Sequence, residues 1–198
     1  MHRTVFTTPI VNSVLRVISI CFLRIAGWKI DGCLPDSAAK SVLIAAPHTS
    51  NWDLPYTLMV AFALRLNVYW MGKHSLFVPP FRTVMMWLGG IPVDRSQAGN
   101  LVAAAAQAIA KADGPLHLIV PPEGTRSKTR YWKTGFYYIA QTARVPIVLA
   151  YLDYSTRRGG LGPVFQTKGD IEADMTAIKA FYSSVKGKNA DQFDPADS

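Results

Sequence analysis

The chain has 198 residues, of which 49% are hydrophobic and 17% are charged, and its formal net charge is +8. This length suits one domain with a substantial core. The basic residues are scattered and no nucleic-acid-binding fingerprint is present, so the charge indicates an anionic partner near an apolar phase, such as a membrane surface, and no nucleic acid. Two cysteines, Cys21 and Cys33, are too few for a disulfide framework.

Residues 1–28 predict an amphipathic N-terminal helix, for which membrane contact is one interpretation. Arg16 and Arg24 interrupt its apolar run, and the longest uncharged stretch is shorter than the ~20 residues that span a bilayer. On a helix, Asn12, Arg16 and Ser19 share one face, a pattern typical of a helix in the membrane plane with basic residues among the headgroups. A helix packed on the domain is the alternative. The arginines disfavour a signal peptide, because they would interrupt its apolar core.

Residues 29–186 predict the main domain, in which apolar, strand-like runs alternate with helical segments. After a turn-rich link at 30–36, strands are expected at 41–46, 68–71, 91–96, 116–120 and 146–151, and helices at 53–66, 81–88, 99–113, 134–143 and 173–185. This alternation favours an α/β fold, a single domain with a mostly parallel sheet flanked by helices. Residues 187–198 are polar and are expected to form a frayed tail.

A histidine and an aspartate, His48 and Asp53, lie between the strand at 41–46 and the helix that follows it. α/β folds gather ligands at such junctions. A helix N-terminus favours neutral imidazole, and a carboxylate one turn on can accept one ring N–H, which leaves the other nitrogen as a base. Taken alone, an ordinary helix cap beside a surface histidine explains the pair as well.

Two further charged motifs follow along the chain. One covers residues 89–95 and ends in Arg95, and the other is Pro-Glu-Gly-Thr-Arg-Ser at 122–127, followed by an apolar–proline–apolar run at 145–147. In this order and spacing the chain resembles the glycerolipid acyltransferases of the lysophosphatidate acyltransferase type, whose first motif is the same His-x4-Asp pair. The resemblance covers about residues 42–150.

The resemblance implies transfer of a fatty acyl group from a thioester, on coenzyme A or acyl carrier protein, to the hydroxyl of a lysophospholipid such as 1-acyl-glycerol-3-phosphate. His48 would be the general base, with Asp53 orienting it and backbone N–H groups of residues 49–51 serving an oxyanion. The chain contains no Gly-x-Ser-x-Gly elbow and neither cysteine lies beside a histidine, which disfavours a covalent acyl-enzyme.

Two departures from the family pattern leave the acceptor open. Pro92 and Pro121 stand where the family usually has aromatic residues. Another lyso-lipid, for example a lyso-aminolipid, is therefore an alternative acceptor. The same residues would also suit a lipid or thioester hydrolase, whose base activates water, or a catalytically silent lipid-binding module.

The family's substrate-binding residues fall on five positions of this chain. The resemblance assigns Arg95 and Arg126 to the acceptor phosphate, which suits the planar guanidinium fork. Glu123 is expected to orient Arg126 or the acceptor hydroxyls. Gly124 suits a tight turn that lets backbone approach the ligand, and Thr125 is expected to donate a hydrogen bond to substrate.

No bound cofactor and no metal are expected, because no His, Cys or carboxylate cluster has ligand spacing. His117 lies in an apolar strand pattern and is interpreted as structural. Further basic residues near the motifs suit donor phosphates, lipid headgroups or a solvated rim: Lys73, Lys128, Arg130 and Lys133. Together with the N-terminal helix, the resemblance implies phospholipid biosynthesis at the cytoplasmic side of the cell inner membrane, with the protein peripheral to it.

Overall fold

A computed structural model of the chain describes residues 3–93 and 98–193. Its strands are β1 (Lys29–Asp31), β2 (Lys40–Ala46), β3 (Val68–Lys73), β4 (Gly90–Val93), β5 (Leu116–Val120), β6 (Ile147–Asp153) and β7 (Arg158–Phe165). Its helices are α1 (Pro9–Ile25), α2 (Asp53–Ala63), α3 (Arg82–Trp87), α4 (Ala98–Ala110), α5 (Gly135–Ala143) and α6 (Ile171–Tyr182). Short 3-10 turns lie at Val5–Thr7, Asp36–Ala38, His74–Leu76 and Ala190–Gln192.

The described strands form one sheet in the order β1-β7-β6-β2-β5-β3-β4. Every described pair is parallel except β6 with β7. The central strand β2 alternates between two helix layers: Val42 and Ile44 pack toward α4, α5 and α6, whereas Leu43 packs toward α1 and α2. The predicted α/β fold, a single domain with a mostly parallel sheet, is therefore confirmed.

Two strands, β1 and β7, were not predicted from the sequence. Three of the eight residues of β7 are glycine and one is proline, a composition with low intrinsic β propensity. Tertiary pairing overrides it, because β7 lies between β6 and β1. A Cβ at Gly160 would collide with the backbone oxygen of Asp31, so glycine permits this close approach. β1 has only three residues and lies in the predicted turn-rich link.

The remaining elements match their predicted positions with shifted ends. α2 stops at Ala63, before Arg65 adopts a left-handed φ of 57°, and β3 continues to Lys73. β4 begins at Gly90, and the predicted end of that strand, 94–96, lies outside the described residues.

Helix α1 packs on α2 with its polar face turned inward. Arg16 Nε donates to the Ala63 carbonyl at 3.2 Å, and Ser19 is only 4% exposed. The amphipathic pattern suggested that Arg16 lies among lipid headgroups on the outer surface. Its side chain instead points into the domain. The outward face of α1 carries exposed apolar side chains: Ile10, Val14, Val17, Ile18, Phe22 and Ile25. Within the described ranges, no helix has the length and apolar character needed to cross a bilayer.

The polar end of the chain is packed where it is described. Residues 187–193, which were expected to fray, lie against the loops that follow β2 and β5. Asn189 Nδ2 donates to the Thr49 carbonyl at 2.8 Å, and the Phe193 ring centre lies 6.3 Å from that of Trp132. Residues 194–198 lie outside the described part of the chain.

Candidate active site

Asp53 organises the loop between β2 and α2. Its side chain is 5% exposed, and its Oδ2 accepts the backbone N–H groups of Thr49 and Ser50, each at 2.8 Å. A carboxylate at the first turn of a helix also suits the positive end of the helix dipole. Of the three N–H groups considered for an oxyanion, two are therefore already engaged, which leaves Asn51 as the candidate.

His48 lies on this loop with Nδ1 facing the same carboxylate. The distance from Nδ1 to Asp53 Oδ2 is 3.2 Å, and the imidazole is 27% exposed. Nδ1 opposite a carboxylate is the nitrogen that carries a proton, so Nε2 keeps its lone pair. The pair can accept a proton at Nε2 and stabilise the resulting imidazolium.

Tyr154 holds the other oxygen of the carboxylate, a contact that the sequence did not reveal. Its hydroxyl donates to Asp53 Oδ1 at 2.9 Å. Burial, together with the neighbouring Asp53 charge, raises the pKa of Tyr154 far above its ordinary value, so the hydroxyl remains a donor. The ring packs against Trp28 and Tyr56, with centres 5.1 and 5.8 Å away. Tyr154 directly follows β6 and belongs to no motif.

Glu123 supports His48 from the loop that follows the neighbouring strand β5. Its Oε1 accepts the backbone N–H of His48 at 3.0 Å, and the residue is only 5% exposed. Burial raises the pKa of Glu123 to about 7. Its Oε2 is buried and has no hydrogen-bond partner among the described residues. Within the described ranges, no ion pair joins Glu123 to Arg126. That Glu123 orients Arg126 or the acceptor hydroxyls therefore remains a prediction.

The first and third motifs open on one cavity of about 550 Å³. Its lining includes five of the residues singled out from the sequence, namely His48, Asp53, Gly124, Thr125 and Arg126. β2 and β5 are adjacent and parallel, so both loops leave the same edge of the sheet. Arg95 lies outside the described residues.

Gly124 provides the turn in the third motif. Its φ is 64°, a left-handed conformation that favours glycine, and a Cβ there would lie 2.9 Å from the Lys133 side chain. Lys133 therefore lies across the turn. This geometry agrees with the tight turn predicted at Gly124.

The cavity combines an apolar interior with a cationic edge. Its buried lining residues are mostly hydrophobic and include Leu43, Val60, Ala61, Leu66, Val68, Trp70, Ile119 and Leu161. Lys73 and Arg126 line the same cavity and are exposed. The site can therefore accept a ligand with a long apolar part and an anionic group. In the described part of the chain, no group of three or more His, Cys, Asp or Glu side chains could hold a metal ion.

Comparisons with known proteins identify the family of the chain and a similar fold. A family model described as Acyltransferase matches residues 34–152, more than half of the chain. No curated protein sequence matches. Among solved structures, the chain is similar to the 1-acyl-sn-glycerophosphate (LPA) acyltransferase PlsC from Thermotoga maritima, with a TM-score of 0.59 and 14% sequence identity over 86% of this chain and 76% of that chain. That likeness concerns the fold, whereas the family match assigns the chemistry: the chain belongs to the acyltransferase family.

Proposed function

We propose that this acyltransferase moves a fatty acyl group from an acyl thioester to the hydroxyl of a lysophospholipid such as 1-acyl-glycerol-3-phosphate. The observation that carries the proposal is the His48–Asp53 pair, 3.2 Å apart, beside a largely apolar cavity that has Lys73 and Arg126 at its edge. The acyl chain would occupy the apolar part, and the acceptor phosphate would bind at the cationic edge.

The chemistry is direct transfer with His48 as general base. Nε2 accepts the proton of the acceptor hydroxyl as the oxygen attacks the thioester carbonyl carbon. The C–S bond breaks, and the imidazolium returns its proton to the departing thiolate. Asp53 stabilises the imidazolium, and general-base catalysis of this kind contributes typically ~10²–10⁴-fold. Asn51 N–H is the candidate donor to the oxyanion.

Positive charge would recognise the acceptor. Arg126 and Lys73 line the cavity, and Arg95 is added by the family resemblance. Thr125 lines the same cavity and can donate a hydrogen bond to the acceptor, while Gly124 keeps the loop backbone close to it. Glu123 would act from beneath the site, by holding the backbone of His48.

Membrane attachment would bring the lysolipid to this cavity. The outward face of α1 is apolar, with Ile10 and Ile25 at 81% and 88% exposure, and the chain carries a net charge of +8. Exposed apolar side chains also lie at α3, including Phe81 and Val84, and the exposed Leu76 lines the cavity. We place this surface on an anionic bilayer, peripheral to the cytoplasmic side of the inner membrane, where it would serve phospholipid synthesis.

A lyso-aminolipid is a second class of acceptor, and the observation that favours it is the position of Pro121. Pro121 lines the cavity directly before the third motif, at a position where the family usually has an aromatic residue. Without that ring, the acceptor end of the cavity differs from the family's usual form.

A defined assay tests the proposal. Purified protein is incubated with labelled acyl-CoA or acyl carrier protein thioester and a panel of lysophospholipids and lyso-aminolipids, and products are read by mass. We expect a diacyl phospholipid as the main product, and the two donor arms identify the carrier. Free fatty acid as the main product, with no acylated acceptor, would favour a hydrolase.

A further inference from the structure

We propose that residues 186–193 are a positioning segment for the catalytic loop, with Asn189 holding the carbonyl of Thr49, the residue after His48. This inference rests on the proposed function, because the loop that it concerns carries the general base. Asn189 is a positioning residue and does not touch the reacting atoms.

The segment is anchored beside the site at the end of β6, the strand next to β2. The carbonyl of Lys186 accepts the N–H of Tyr154 at 2.9 Å, and the N–H of Lys186 donates to Asp153 Oδ1 at 3.4 Å. Tyr154 is the residue whose hydroxyl holds Asp53. The start of the segment is therefore joined to the support of the catalytic carboxylate.

Gly187 permits close contact with the catalytic loop. It is buried, and a Cβ there would lie 2.6 Å from Thr49 Oγ1 and 3.1 Å from Pro47 Cβ. A larger residue would push the loop or the segment away. The absence of a side chain brings the following residues within hydrogen-bond distance of Thr49.

Asn189 makes two hydrogen bonds to Thr49. Its Nδ2 donates to the Thr49 carbonyl at 2.8 Å, and its backbone N–H donates to Thr49 Oγ1 at 3.2 Å. Thr49 is 3% exposed, and its own N–H donates to Asp53. Glu123 accepts the N–H of His48 as well. The backbone N–H groups of His48 and Thr49 and the carbonyl of Thr49 are therefore all hydrogen-bonded.

The far end of the segment reaches the third motif's loop. Gln192 Oε1 accepts the N–H of Lys128 at 3.1 Å, and between the two ends Lys188 Nζ lies 4.8 Å from the centre of the Trp52 ring. The segment thus contacts the loops after β2 and β5, which both line the cavity. Rate depends steeply on such placement, because a displacement of about 1 Å can cost about 10²-fold.

Two substitutions test this role against a matched control. Asn189→Ala removes the side-chain donor, and Asn189→Asp keeps the shape but presents an oxygen to the Thr49 carbonyl. Asn67→Ala is the control, because Asn67 Nδ2 donates to the Pro115 carbonyl at 2.9 Å near the opposite end of the sheet. We expect both Asn189 variants to lower kcat by about 10- to 100-fold with the thioester KM nearly unchanged. Asn67→Ala should lower thermal stability and leave kcat unchanged.

A substrate-free measurement separates this inference from the proposed function. Amide hydrogen exchange at Thr49 and Ser50, followed by NMR, should be faster in Asn189→Ala than in wild type and unchanged in Asn67→Ala. If wild type acylates none of the lysolipids while Asn189→Ala still speeds this exchange, the proposed function fails and the positioning role stands. Wild-type kcat in both Asn189 variants, or unchanged exchange at Thr49 and Ser50, would overturn the positioning role.

Discussion

The backbone N–H of His48 donates to Oε1 of Glu123 at 3.0 Å, so the third motif holds the first. This contact joins the loops that follow β2 and β5, and it places a buried carboxyl against the backbone of the candidate base. Glu123 is 5% exposed, and its raised pKa links the folding of this region to pH.

Glu123→Gln should flatten part of the pH dependence of stability. The pKa of Glu123 is about 7 in the folded protein, above the ordinary 4.5, because burial disfavours the charged form. The stability it contributes is complete below pH 4.5 and is lost as pH rises through 7, a loss of about 3 kcal/mol. Denaturant unfolding from pH 4.5 to 8 should show this loss in the difference between the unfolding free energies of wild type and Glu123→Gln, because that difference cancels the contributions of other titrating groups. Parallel curves for the two proteins would contradict it.

His117 should act in the opposite direction, so His117→Asn is the companion experiment. Burial lowers the pKa of His117 to about 4 from 6.5, and its Nδ1 lies 2.9 Å from Ser41 Oγ. Its contribution to stability is present above pH 6.5 and is lost as pH falls through 4. Asparagine retains a polar partner for Ser41 without a titrating ring. The unfolding free energy of wild type should therefore fall relative to that of His117→Asn as pH drops from 6.5 to 4, whereas a constant difference between the two proteins would contradict this role of His117.

Tyr154→Phe should slow acyl transfer without weakening substrate binding. It deletes the hydrogen bond to Asp53 Oδ1 but keeps the aromatic packing. A hydrogen bond to a charged group contributes about 1.5–3 kcal/mol, so we expect kcat to fall about tenfold or more with KM nearly unchanged. Tyr56→Phe, in the same aromatic cluster, is the control. Equal effects of the two substitutions would contradict a specific role for the Tyr154 hydroxyl.

Arg126→Ala should raise the KM for a phosphorylated acceptor. Arg126 lines the cavity, and its guanidinium suits a phosphate group. We expect an increase of about tenfold or more, with the thioester KM unchanged, by steady-state kinetics. Arg130→Ala, an exposed arginine a few residues further along, is the matched control. An unchanged acceptor KM in Arg126→Ala would move the phosphate to another part of the site.

Replacing apolar residues on the outward face of α1 should weaken vesicle binding. The triple variant Ile18→Ser, Phe22→Ser and Ile25→Ser changes side chains that are 56%, 45% and 88% exposed. Burying one such side chain fully is worth about 1.5–3 kcal/mol, so binding to anionic vesicles should fall at least about tenfold with little loss of thermal stability. Tyr138→Ser, exposed on α5 in the opposite helix layer, should leave binding intact. If the triple variant binds vesicles as well as wild type does, α1 only packs on the domain and does not attach it to the membrane.

The sequence was sufficient wherever the signal is local. The strand at 116–120 follows from one apolar run, and His48 with Asp53 follows from a short spacing at a strand–helix junction. Glu123 is also visible as part of a contiguous motif. Its contact with His48 could not be predicted, because it depends on β2 lying beside β5, and those strands are far apart along the chain.

Contacts made by residues outside any motif escaped prediction for the same reason. Tyr154 and Asn189 reach the catalytic loop from distant parts of the chain, and neither has a local pattern that marks it. The inward direction of Arg16 was also hidden, because an amphipathic pattern defines two faces and does not say which one packs. β7 forms a strand despite its glycine-rich composition, because it pairs with β6 and β1 in the sheet.

The central claim, that His48 is the general base for acyl transfer, is tested most directly by single-turnover transfer from a labelled acyl thioester. Purified wild type is compared with His48→Ala at saturating lysophospholipid, and circular dichroism monitors folding. We predict that the variant keeps the wild-type spectrum and transfers the acyl group about 10²–10⁴-fold more slowly. Transfer at a near wild-type rate by the folded variant would contradict the claim.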